Sequence, residues 1–197
     1  LYANKSMTFF KISGFFFFYF IAIGVYVIFM PKMLQTLGYS APQIGVIFAL
    51  APLMRFFIPF FFLKRFELTP NVFYTALVGA IASVGLFYLT IDSFYLFLVP
   101  NLLLGACLGI ILPYIEIYAL EHLSKERFGR SRLFGSIGFM GIGIILARHL
   151  ENYTTGLHCL LASMLIMALF SYLLTANNPH FSQKHEETNA SKTRSDI

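Results

Sequence analysis

The sequence predicts an all-α integral membrane protein with six transmembrane helices, on three observations. Of its 197 residues 58% are hydrophobic and only 12% charged, where a soluble domain keeps about a quarter of its residues charged. With a mean hydropathy of +0.74, the chain has too little polar surface to cover a globule of this size in water, which excludes a cytosolic globule and intrinsic disorder. Six apolar windows approach or reach the roughly 20 residues needed to cross about 30 Å of hydrocarbon. Finally, the basic residues fall almost entirely on one side of those windows.

The windows lie at about 12–34, 42–63, 72–91, 94–119, 130–149 and 155–176. The first is too long for the apolar region of a cleavable signal peptide and has no small-residue cleavage site behind it, so it is expected to remain in the chain. The sequence opens on Leu1 and its first methionine is Met7. Three explanations stay open: a fragment, a non-Met start codon translated literally, or a true start at Met7. Connections between windows are short and leave no room for a soluble domain. The expected division is therefore a six-span bundle over 1–176 and a polar segment over 177–197, a cytoplasmic tail or the start of a central linker, set off by Pro179.

The net charge of +5 is read as topology, because Lys and Arg in a lipid-embedded chain collect on the cytoplasmic side. Lys5, Lys11, Lys64, Arg65, Lys125, Arg127, Arg130, Arg132, Lys184, Lys192 and Arg194 share one side. Lys32 and Arg148 lie on the other, and Arg55 lies within the second window. This bias puts both termini in the cytoplasm, and no nucleic-acid partner is expected. Cys107 and Cys159 sit in apolar runs and offer neither a disulfide framework nor a thiolate metal site. No nucleotide loop, zinc-helix motif or nucleophile elbow is present. Neither enzymatic activity, nor a cofactor, nor a metal is expected.

Charged residues inside the windows are the expensive ones. Arg55 stands between Pro52 and Pro59, and an Arg at a helix centre costs roughly 2.5–3.5 kcal/mol on insertion scales. It either snorkels to headgroups or is paired inside the protein, and the flanking prolines favour a helix packed in protein. In the fourth window Gly105, Gly109, Leu112 and Glu116 form one helical stripe, which predicts a face turned to another helix or to a polar cavity. In the fifth, the uncharged run Leu133 to Ala147 falls short of about 20 residues, so the span must recruit Arg130 and Arg132 at one end or Arg148 at the other. Arg132, Ser136, Phe139 and Gly143 recur on one helix face, a guanidinium, a hydroxyl and an aromatic ring in a row. A planar guanidinium binds carboxylates or paired hydroxyls, and a ring face stacks on apolar surface. For a lone arginine at a helix start, a plain positive-inside anchor is the simpler explanation; the complementary Glu116 stripe points to a site.

These pieces resemble a known family. Phe15-Phe-Phe-Phe-Tyr-Phe20, Gly24-Val-Tyr26 and Pro31, then Pro113-Tyr-Ile-Glu116, then Phe128-Gly-Arg-Ser-Arg-Leu-Phe-Gly-Ser-Ile-Gly-Phe139 are similar to the N-terminal half of lactose-permease-like major facilitator transporters. Ala51-Pro-Leu-Met-Arg55 is nearer to the phenylpropionate-permease branch. The resemblance implies one six-helix half of the major facilitator fold, built from two related three-helix repeats, and proton-coupled uptake by alternating access between two such halves. It also implies that Glu116 and Arg132 bind a small solute, with Ser136 lining the site, Phe139 packing on the solute and Arg55 a further lining residue. In lactose permease an aromatic residue of a different kind, tryptophan, stands at the position of Phe139. The loop Phe62-Leu-Lys-Arg-Phe-Glu-Leu-Thr-Pro70 keeps a basic pair but lacks the glycines and Asp usual after the second span.

The function expected is thus a bacterial inner-membrane permease for a sugar or an aromatic or carboxylic acid, present as an N-terminal half or fragment. Its implied partners are the lipid bilayer, the solute, protons and a separate C-terminal six-span half. The alternative is a non-transporting six-span protein, a truncated or degenerate permease half whose charges only hold helices together.

Overall fold

A computed structural model of the chain describes residues 2–62, 68–149 and 153–175. The basic pair at Lys64 and Arg65, Glu151 and the polar segment expected over 177–197 lie outside the described residues. The described chain is helical throughout: α1 (Tyr2–Gly24), a π-helical turn (Val25–Phe29), α2 (Met30–Thr36), α3 (Ala41–Phe62), α4 (Pro70–Thr90), α5 (Phe94–His122), α6 (Lys125–His149) and α7 (Tyr153–Thr175). Six of these helical stretches are long and apolar enough to cross a membrane, the first running unbroken through α1, the π turn and α2. The expected fold class, all-α with six spans, is the one observed.

The helices run past their apolar windows because hydropathy marks only the part suited to hydrocarbon, whereas backbone hydrogen bonding continues into polar sequence. The first span is helical well before residue 12, and α5 continues to His122, where the Leu123 N–H still reaches the Ala119 carbonyl at 2.8 Å. The short fifth window lies within a longer helix: α6 runs Lys125–His149 and takes in Arg130 and Arg132 at one end and Arg148 at the other. In the first span Pro31 has no N–H for the helical ladder. Just before it the pattern widens by one residue, with the Met30 N–H bonded to the Val25 carbonyl. The span closes at Gly38, whose φ of +89° suits glycine. There the N–H groups of Gly38 and Tyr39 return to the carbonyls of Gln35 and Leu34 at 3.1 and 3.0 Å, satisfying the helix end.

The packing has an internal symmetry. The first span lies against α6 and α7, α5 lies against α3 and α4, and α4 meets α7. Exchanging the first span with α5, α3 with α6 and α4 with α7 maps this set of contacts onto itself, the pattern expected of two three-helix repeats. Lipid gives no hydrophobic force between helices, so close backbone approach matters more than in water. Two symmetry-related interfaces use glycine for it. A Cβ at Gly105 of α5 would stand 2.7 Å from Ala51 Cα of α3, and one at Gly138 of α6 would stand 2.5 Å from the Phe17 carbonyl oxygen of α1.

Gly105→Ala is therefore expected to destabilise the bundle by about 1–3 kcal/mol through overpacking. Gly85→Ala, where the added carbon meets nothing within 4 Å, should be neutral or stabilising by up to about 1 kcal/mol from helix propensity. Unfolding in mixed micelles, followed by circular dichroism, distinguishes the two.

The aromatic run of α1 supplies much of the core: Phe15, Phe16 and Tyr19 are fully buried, and Phe15 and Tyr19 stack at 6.0 Å. Outward faces are equally apolar, with Phe56 71%, Leu89 78% and Tyr95 79% exposed. A surface of this kind is stable in hydrocarbon and not in water.

Candidate functional site

The connection between α5 and α6 is only Leu123 and Ser124, so the two helices form a hairpin. Ser124 caps α6, its Oγ accepting from the Arg127 N–H at 3.4 Å. Glu116 lies about two turns before the hairpin and Arg132 about two turns after it, which brings antiparallel helices level at these residues. Arg132 Nη1 approaches Glu116 Oε1 at 3.2 Å. The arginine side chain is 47% exposed and the glutamate 29%.

The stripe that carries Glu116 does two things along its length. Its glycine end meets α3: Gly105 faces Ala51, and a Cβ at Gly109 would lie 3.3 Å from Arg55 Cα. Its carboxylate end reaches α6. Arg55 is consequently held by its backbone against α5, level with Gly109 and about 10 Å along the helix from Glu116. Its side chain is half-buried, and its Nε is buried without a hydrogen-bond partner among the described residues. The buried Tyr19 of α1 lies within electrostatic influence of both Arg55 and Glu116, and Tyr26 within that of Arg55.

Of the five residues singled out from the sequence, the structure brings Glu116 and Arg132 into direct contact. Ser136 is exposed on the same face of α6. Phe139 is half-buried and packs against the first span, where a Cβ at Gly24 would stand 3.3 Å from its ring. Arg55 belongs to the neighbouring α3, which packs on α5, and makes no ion pair with Glu116 among the described residues.

Two features escaped the sequence reading. Tyr19 is the single hydroxyl in the aromatic run Phe15 to Phe20, a signal hidden by the hydrophobicity around it. The other is a buried hydrogen bond at the π turn: Tyr26 donates to Asn101 Oδ1 at 2.8 Å, and Asn101 Nδ2 donates to the Phe97 carbonyl at 2.7 Å. A lone amide in an apolar span was the available clue, since such a group in lipid must be satisfied by protein.

Chemically, the Glu116–Arg132 pair is neutral as a whole and presents a half-exposed guanidinium beside a hydroxyl on the same helix face, groups that bind carboxylates and hydroxyls. Such a site is suited to a small polar or anionic molecule. Among the described residues no group of three His, Cys, Asp or Glu side chains converges as a metal site.

Comparison with known proteins agrees with this architecture. The model of the MFS_1 like family matches residues 9–196, nearly the whole chain. No curated protein and no solved structure gives a match. With a family match of that extent over six membrane-spanning helices, the chain belongs to the MFS_1 like family, major-facilitator-type membrane transporters.

Proposed function

We propose that the chain is the N-terminal half, or a fragment, of a proton-coupled permease of the lactose-permease-like group, carrying a small solute such as a sugar or an aromatic or carboxylic acid. It lies in a bacterial inner membrane with both termini in the cytoplasm, as the basic residues favour. The observation that carries the proposal is the interhelical Glu116–Arg132 contact at 3.2 Å, a polar pair on an accessible face of an otherwise apolar bundle. Glu116 and Arg132 neutralise each other across the two helices. A solute hydroxyl or carboxylate takes over part of the Arg132 fork, while Ser136 on the same helix face offers a further hydroxyl. Phe139 packs at the edge of the site, and Arg55 supplies positive charge from α3. Proton coupling is assigned to no residue of this chain.

A melting screen of the chain co-purified with a complementary six-span half against sugars, nucleosides and aromatic acids tests this. One class is expected to stabilise it, by about 2.7 kcal/mol at a ligand concentration of 100 times Kd. No stabilisation by any class counts against a solute site.

One observation favours a second reading, the non-transporting six-span protein: Glu116 and Arg132 are paired with each other across two helices at 3.2 Å. On that account the pair is a helix clamp only, and exchanging the two charges is harmless.

A further inference from the structure

On the opposite face of α6 from Arg132 lies a second basic feature that the solute site does not use. A cavity of about 220 Å³ opens between the start of α1 and the start of α6, lined by Ser6, Phe9, Arg127 and Arg130. Arg127 forms no ion pair among the described residues. Arg130 pairs with Glu126 at 3.5 Å, with both side chains largely exposed, so the group of Glu126, Arg127 and Arg130 keeps one positive charge.

Helical spacing continues this face of α6 through Phe134, Ile137 and Ile144, which are 43%, 51% and 57% exposed. Phe9 meets Phe134 edge-on at 6.3 Å, closing the cavity toward the apolar end. The feature thus has a cationic, hydroxyl-bearing mouth at the membrane boundary and an exposed apolar strip leading from it toward the bilayer interior. A soluble phosphate uses only the mouth. An anionic phospholipid uses both, its phosphate between the two arginines and the Ser6 hydroxyl, and its acyl chain along the strip.

We infer that this groove is a binding site for an anionic phospholipid headgroup, separate from the solute site. The full chain, extracted in micelles containing equimolar phosphatidylglycerol and phosphatidylcholine of matched acyl chains, is analysed by native mass spectrometry. Retained phosphatidylglycerol is expected to exceed phosphatidylcholine by about fivefold, the effect of one basic charge at a lipid surface. Arg127→Gln/Arg130→Gln should bring the ratio close to parity. Lys192→Gln/Arg194→Gln, which removes the same charge elsewhere, should leave it unchanged.

Parity in the unmodified chain overturns the inference. So does an equal loss in both variants, which signals attraction to overall charge. Displacement of the lipid by millimolar glycerol 3-phosphate also overturns it, because the groove then takes a soluble phosphate. The first and last comparisons need no variant and stand even if a substitution impairs folding.

Discussion

Glu116→Gln and Arg132→Lys, each placed in a full-length transporter context, are expected to lower substrate uptake and binding by at least about tenfold, or about 1.4 kcal/mol. The glutamine keeps the size of the glutamate and removes its charge, leaving Arg132 uncompensated on a bundle face. The lysine keeps the charge and removes the planar fork needed for two-point contact with a hydroxyl pair or carboxylate. Because the pair also joins α5 to α6, loss of uptake alone does not separate a binding role from a clamp. The charge-exchanged chain Glu116→Arg/Arg132→Glu does. It should recover most of the melting temperature lost in the single variants and none of the uptake. Unchanged uptake and binding in both single variants defeats the site assignment, and full activity of the exchanged chain favours the clamp.

These 197 residues purified alone are expected to show no proton-gradient-driven uptake in liposomes and to form non-specific oligomers. Arg132 is about half exposed and Glu116 about a third, with Ser136 exposed beside them. If that face meets hydrocarbon, the half-exposed ion pair loses its contact with water, at a desolvation cost of several kcal/mol that its mutual attraction only partly offsets. A second six-helix bundle covering the face removes that cost and supplies the partner against which one half rocks in alternating access. Co-expression with a complementary six-span half should yield a homogeneous complex and restore transport. Antiparallel self-association is disfavoured by the strong one-sided distribution of basic residues. Saturable, uncoupler-sensitive uptake by a homogeneous preparation of this chain alone overturns the expectation.

The sequence by itself determined the class of fold and the number of spans. Each span must satisfy its own backbone in lipid, so apolar length is a local property that needs no knowledge of neighbours. It also determined which side of α5 is special, because Gly105, Gly109 and Glu116 share one stripe, and that the Arg132 stripe on the next span is complementary to it. What each face meets was decided only by tertiary packing. The glycine stripe gave no sign that Gly105 would lie on Ala51 or Gly109 on Arg55. For Arg55 the flanking prolines favoured packing inside protein over snorkelling without naming a neighbour, and the approach of α3 to α5 places its Nε in the interior. Phe139 shares the Arg132 stripe by periodicity, yet the close approach of Gly24 draws its ring against the first span. The Tyr26–Asn101 hydrogen bond joins partners many residues apart. Interhelical contacts in lipid depend on shape and on a few polar groups rather than on hydrophobicity, and no local pattern records which distant residue supplies the matching surface.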